Sequence, residues 1–168
     1  MASSGTQIRV GIGYDVHAFA PPDAGRALIL GGVVVPHERG LAGHSDADVL
    51  AHAVVDALLG AATLGDIGMH FPSSDPRWRD APSTAFLTYA VDLLRQHGWR
   101  AVNVDATVVA ERPRLSPHVP AMRQRLAETL GLPPECVSVK SKTTDGLGFT
   151  GRAEGVACHA VALIEREA

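Results

Sequence analysis

The chain has 168 residues, 46% hydrophobic and only 5% aromatic, with a net charge of −3. That size and content suit one domain whose core is built from Val, Leu, Ile and Ala. The weak negative charge and the lack of a long basic run exclude nucleic acid as a main partner.

Nothing approaches the ~18 consecutive apolar residues of a membrane span, so no membrane association is expected. The opening "MASSGTQ" has neither an apolar core nor an Arg-rich amphipathic pattern, so no signal or transit peptide is expected. The two cysteines, Cys136 and Cys158, form no CxxC pair and sit in apolar, strand-like contexts. They read as buried free thiols, which fits a cytoplasmic protein.

Residues 1–7 are small and polar and read as a loose tail. From Ile8 the chain alternates. Ile8, Val10, Ile12, Tyr14 and Val16 share one face, expected to meet the core; Arg9, Gly11, Gly13, Asp15 and His17 share the other. "RALILGGVVVP" reads as strand broken by a Gly pair, hence a hairpin or bulge. A helix follows "GHSDAD" and runs to about Gly60, with Val49, Ala53, Val54, Ala57 and Leu58 as its apolar stripe. Ser45 and Asp48 have the S-x-x-D spacing of a capping box. The Gly- and Pro-rich stretch from Thr63 to Pro82 is a long loop. A second helix starts at Ser83 and ends near His97 and Gly98. "RAVNVDATVVA" alternates as a strand, and Pro120 to Leu130 forms a third helix. Two strands, Val137 to Thr143 and Gly155 to Ile164, close the chain. The order predicts an α+β fold: a mixed β-sheet with helices packed on one face, a ferredoxin-like two-layer sandwich. Strands rich in Ala and Gly leave a sheet face suited to packing against other subunits, so a homo-oligomer is expected.

Four stretches carry residue types suited to chemistry. Asp15 and His17 point to one face of the first strand, and the glycines before them leave room for something to approach, expected to be a neighbouring subunit. A catalytic zinc site needs a third protein ligand and one open position. His44 and His52 are the candidates, and Asp56 stands four residues after His52, where it can orient that ring. "GHSDAD" opens a helix, whose free amides suit an anion, although Ser45, Asp46 and Asp48 also suit simple capping. "GDIGMHFPSSD" offers Asp66 and small residues to a polyol, or serves as a connector. "KSKTTDGLGFTGRAEG" brings Lys, Thr, Asp and Arg side chains that suit a diphosphate and Mg²⁺. It lacks the Walker A order, and "GIGYDV" has Val16 where a dinucleotide fingerprint needs Gly. No G-x-S-x-G elbow supports a serine hydrolase.

Read in order, "GYDVHAF", "LGGV", "GLAGHSDADVLAHAVVDALLGAATLGDIG", "HFPSSDP" and "LGFTGRAEG" resemble the motifs of the 2-C-methyl-D-erythritol 2,4-cyclodiphosphate synthase family. The resemblance spans about residues 8–165 and makes residues 8–168 a single catalytic domain, in a monofunctional form. It implies a cyclising phosphorus–oxygen lyase of the non-mevalonate isoprenoid pathway, assembled as a homotrimer with active sites between subunits. It implies zinc on Asp15, His17 and His52, with a substrate phosphate oxygen in the open position, and magnesium or manganese on Asp145. His44 and Thr143 would stabilise the transferring phosphoryl group, with Ser45 beside them on the substrate. Asp66, Ile67 and Gly68, with Phe71, Pro72, Ser73, Ser74 and Asp75, would contact the erythritol moiety. Ala110, Glu111, Arg112, Pro113, Arg114, Leu115 and Ser116 would hold the cytidine and its phosphates together with Lys142 and Thr144. Phe149 and Arg152 would lie near a central cavity of the trimer, a place for an isoprenoid diphosphate. Three positions depart from the family pattern: Ser73 stands for Asp, Lys142 for Thr and Asp145 for Glu. A zinc phosphohydrolase and a non-catalytic diphosphate-binding trimer are the alternatives.

Overall fold

The computed structural model describes residues 7–166, so most of the expected tail lies outside the described residues. Strand β1 (Ile8–Ala18) leads to a hairpin of β2 (Leu28–Leu30) and β3 (Val33–Val35). The predicted Gly pair is its turn, with φ of 60° at Gly31 and 72° at Gly32. Helix α1 (Val49–Ala62) follows, then a single turn α2 (Ile67–His70) within the predicted loop, and α3 (Ser83–Gln96). Strand β4 (Trp99–Val109), α4 (Val119–Leu130), β5 (Val137–Lys142), the short α5 (Gly148–Gly151) and β6 (Gly155–Arg166) complete the chain.

The main sheet has the order β1-β6-β4-β5. Only β4 and β5 pair parallel. Parallel neighbours need a long crossover, and α4 supplies it. The expected two-layer α+β arrangement is present, with α1, α3 and α4 over one face of the sheet. The ferredoxin-like chain order is not: that motif runs β-α-β-β-α-β. Here α4 falls between β4 and β5, and the last two strands β5 and β6 are not neighbours.

The assignment of faces on β1 is the reverse of the prediction. Gly11 and Gly13 are buried, while Ile8, Val10, Ile12, Tyr14 and Val16 are 62%, 65%, 71%, 48% and 43% exposed. A Cβ on Gly11 would stand 2.0 Å from the Ala57 carbonyl oxygen, and one on Gly13 would stand 1.9 Å from that of Ala53. The glycines therefore admit α1 to the sheet; the room beside Asp15 and His17 is filled by this helix, not left for a neighbouring subunit.

The apolar face of β1 continues across the sheet to Val161, opposite Ile12 in the register, which is 41% exposed. Helix α1 has no single stripe, because every residue except Asp56 and Gly60 is buried. A helix apolar all round belongs in the interior. Asp48, not Ser45, caps it, accepting from the Ala51 amide at 3.0 Å. Asp48 also takes the amides of Gly31 and Gly32 at 2.8 and 2.6 Å. One buried carboxylate thus pins the hairpin turn to the start of α1. Burial pushes its pKa up, against the pull of those three amides. Cys158 is buried as predicted, and burial raises its thiol pKa; Cys136 is only partly buried. Among the described residues no helix is long and apolar enough to cross a membrane.

Candidate active site

The close approach of α1 to β1 has a chemical result. Ala53 meets Gly13, so its neighbour His52 arrives beside Asp15, two residues further along β1. Asp15 Oδ2 lies 3.0 Å from His17 Nε2 and 3.0 Å from His52 Nδ1. The two ring nitrogens are 3.1 Å apart. Three donors from two elements therefore converge on one point, and they form a group able to hold a metal ion. Donors at ~2.0–2.2 Å around a tetrahedral ion sit about 3.3–3.5 Å apart, so a small outward shift of the three donors separates this triad from the ligated geometry. The chemistry fits as well: the His17 Nδ1–H donates to the Ala42 carbonyl at 2.7 Å, which turns the Nε2 lone pair toward Asp15.

Electrostatics within the triad follow from the same contacts. Burial alone would raise the Asp15 pKa, but the adjoining His17 and His52 rings outweigh it and hold the carboxyl well below its usual range. Burial alone would lower the His17 pKa, yet the hydrogen bond and charge of Asp15 raise it. The cluster thus favours a cation among an ionised carboxylate and two imidazoles.

The triad opens into a cavity of about 210 Å³ that is also lined by His44, Ser45, Ile67, Phe71, Ser73, Trp78 and Phe86. The rings of Phe71 and Phe86 stack with centroids 4.2 Å apart, and Trp78 meets Phe71 edge-on at 5.0 Å. Three of the ten lining residues are Phe or Trp, in a chain with only four Phe, two Trp and two Tyr. His44 donates from Nε2 to the Asp75 carbonyl at 3.0 Å, which ties the helix-start turn to the loop before α3. Ser45 is buried, with Oγ 3.3 Å from His52 Nε2. Asp66 caps α2 through the Met69 amide at 2.9 Å, and Asp75 is engaged by Arg77. That ion pair lowers the Asp75 pKa.

Asp56 does not orient His52. Its Oδ1 accepts from the Ile67 amide at 2.8 Å, because four residues of helix carry it past the ring toward α2. The partners of His52 Nε2 are Ser45 and Ser83, the latter at 2.8 Å. Ser83, Trp78 and Phe86 are residues that sequence reasoning missed. The concentration of scarce aromatics between Phe71 and Tyr89 was the available signal for two of them.

A second cavity of about 190 Å³ lies at the ends of β4 and β5. Ala110, Glu111, Pro113, Arg114, Leu115, Ser116, Lys142 and Thr143 line it with Ser141. The expected cytidine residues are thus brought together, apart from Arg112 and Thr144. Thr144 is engaged in its own loop, donating to the Leu147 carbonyl at 2.6 Å. Thr143 donates to Asp145 Oδ1 at 3.0 Å. Arg152 pairs with Glu154, and Phe149 is 37% exposed. No lining residue is shared between the two cavities. They belong to opposite edges of the main sheet, whose edge strands β1 and β5 are three strand spacings, about 14 Å, apart. Thr143 is therefore not beside the triad of its own chain.

The YgbB family model matches residues 8–165. A 2-C-methyl-D-erythritol 2,4-cyclodiphosphate synthase from Syntrophomonas wolfei is 57% identical over 159 residues, covering 95% of this chain and 99% of its own. The enzyme of the same name from Gloeobacter violaceus is 56% identical, covering 98% and 99%. Among solved structures, IspF of Plasmodium falciparum in complex with CDP superposes with a TM-score of 0.83 at 33% identity, covering 98% of this chain and 100% of that one. By its family match and these relatives, the chain belongs to the YgbB family.

Proposed function

We propose that this chain is a 2-C-methyl-D-erythritol 2,4-cyclodiphosphate synthase of the non-mevalonate isoprenoid pathway. The observation that carries the reading is the Asp15, His17 and His52 triad in a chain 57% identical to a synthase of that name over 95% of its length. The substrate is 4-diphosphocytidyl-2-C-methyl-D-erythritol 2-phosphate. An oxygen of the 2-phosphate attacks the β-phosphorus, the bond from that phosphorus to the bridging oxygen breaks, and CMP leaves with the electron pair. The product is the cyclic diphosphate.

No covalent protein nucleophile is needed, so the work is positioning and charge stabilisation. Zinc held by the triad would act as Lewis acid and template, and a magnesium or manganese ion near Asp145 would offset phosphate charge. His44 and Ser45 face the phosphates in the triad cavity. The loop from Asp66 to Gly68 and from Phe71 to Asp75 encloses the polyol. Residues 110–116 and 142–144 hold the cytidine diphosphate, and the CDP bound in the Plasmodium falciparum relative supports a nucleotide here.

The separation of the two cavities supports a homotrimer, in which one copy supplies the triad and the next supplies Thr143 and the nucleotide pocket. The apolar outer face of β1 supports the same assembly, since such a face is seldom left in water. Phe149 and Arg152 would then stand near the shared axis, with room for an isoprenoid diphosphate. Residues 8–168 act as one catalytic domain, in the cytoplasm.

The test is phosphorus NMR of the chain with the proposed substrate. The expected result is a cyclic diphosphate plus CMP in equal amounts. A linear phosphate product would support a phosphohydrolase instead, and binding without turnover would support a non-catalytic trimer.

A further inference from the structure

His52 is the buried member of the triad, and its far nitrogen is not idle. Nε2 lies 2.8 Å from Ser83 Oγ, the first residue of α3. The Ser83 hydroxyl in turn donates to Asp46 Oδ1 in a short hydrogen bond. Asp46 Oδ2 accepts the Ser83 backbone amide at 2.9 Å, and Asp46 Oδ1 accepts the Asp48 amide at 3.3 Å. Helix α3 begins after Pro82, which offers no capping side chain. Asp46 caps it instead, from the turn that precedes α1.

These contacts fix the proton at Nε2, where Ser45 Oγ also lies 3.3 Å away. Asp46 is an acceptor, so the Ser83 hydroxyl must donate to it. Ser83 Oγ is then left with lone pairs only, and His52 Nε2 must carry the hydrogen that fills one of them. On the neutral imidazole, the form that ligates a metal, that leaves Nδ1 without a proton, and Nδ1 is the atom that faces Asp15 and His17. We propose that Asp46 and Ser83 are positioning residues for the metal site: they lock His52 in the tautomer and orientation that present Nδ1 to a metal ion. This rests on the reading of the triad as a metal site. It also assigns a role to α3, whose first turn otherwise only borders the cavity. Ser83 is fully buried, so water offers no substitute partner if its hydroxyl is lost. Outer hydrogen-bond partners of metal-bound histidines are typically worth ~10–100-fold in metal affinity.

The test measures the zinc dissociation constant by competition with a chromogenic chelator, on the full chain at fixed pH. Wild type, His52→Ala, Ser83→Ala, Ser83→Thr and Asp46→Asn are compared. Thermal unfolding of each protein after chelator treatment reports stability separately. The expected result is that Ser83→Ala weakens zinc binding ~10–100-fold. Ser83→Thr keeps the oxygen and restores most of it, and Asp46→Asn gives a smaller loss. If Ser83→Ala fails to fold, Asp46→Asn and Ser83→Thr carry the comparison. Zinc affinity in Ser83→Ala within twofold of wild type, with only the unfolding temperature lowered, overturns the proposal and leaves Ser83 a plain structural residue. Wild type binding zinc no better than His52→Ala would overturn the metal reading itself, and this proposal with it.

Discussion

Gly13 and Ala53 are in backbone contact across β1 and α1, and a Cβ at Gly13 would stand 1.9 Å from the Ala53 carbonyl oxygen. This contact sets the height of α1 above the sheet, and so the distance from His52 to Asp15. Replacing Gly13 by Ala forces the helix outward, since neither atom belongs to a flexible side chain. The expected cost is at least ~2 kcal/mol of stability, at the upper end of overpacking, and zinc binding should weaken at least tenfold. Denaturant unfolding and zinc titration of Gly13→Ala measure both. Wild-type zinc affinity in this variant would show that the contact does not govern the site.

Gly60 offers the opposite sign on the same helix. A Cβ there has only the Ile12 carbonyl oxygen nearby, at 3.9 Å. Gly60→Ala should therefore gain ~0.5–1 kcal/mol from helix propensity alone. Turnover should be unchanged. A loss of stability in urea unfolding would mean that α1 is more tightly enclosed at Gly60 than the structure indicates.

Asp56 gives a pH dependence. Burial raises its pKa above the ordinary 3.8, despite the Ile67 amide, and Asp66 and Asp15 add repulsion. The folded chain thus holds this proton more tightly than the unfolded chain does. Stability from the protonated group is complete below pH 3.8 and is lost as pH rises through the folded value. At neutral pH the ionised carboxylate is a net cost. Asp56→Asn, which keeps an oxygen for the Ile67 amide, should be more stable than wild type at pH 7, with the gap closing near pH 4. Thermal unfolding across that range, in chelator-treated protein, decides it; a gap that widens toward acid would contradict the assignment.

Complementation tests the proposed sharing of one site between two copies. His52→Ala and Thr143→Ala are each expected to reduce turnover at least a hundredfold. Unfolded together and refolded as a mixture, they should recover activity at roughly a quarter of the sites, because one copy then brings His52 and its neighbour brings Thr143. No recovery, with mixed trimers confirmed by native mass measurement, would place both residues in one copy's site.

The zinc-loaded enzyme should carry one ion per chain in the triad. Dialysis against a strong chelator should abolish cyclisation, and zinc should restore it. Turnover that persists at a zinc content below one-tenth of an ion per chain would sink the metal assignment.

Most of the element boundaries were legible, because alternation and helical spacing are local properties. Ser83 was recognised as a helix start, and β4 and α4 fell within one residue of their predicted ends. The faces of β1 were not legible. A period of two says which residues travel together, not which set meets the helices. The buried set proved to be the one with two glycines, because contact with a helix backbone favours the absence of a side chain over apolar bulk. The convergence of Asp15 and His17 followed from strand geometry, whereas their meeting with His52 depends on a packing that spans 37 residues. The bond from Ser83 to His52 spans 31 residues and joins two helix starts. No local pattern announces such a pairing, and Ser83 reads only as an ordinary helix start.

Among the described residues β1 lies at the edge of the main sheet, pairing only with β6, and its outer face is apolar from Ile8 to Val16. If the proposed trimer forms, a chain just released from synthesis presents an open strand edge beside a sticky surface until other copies cover that surface. Single copies would then be the vulnerable stage in the life of this protein. Its yield on refolding should rise and then fall with concentration: too few neighbours leave the surface bare, and too many allow strands to pair in the wrong register before assembly closes.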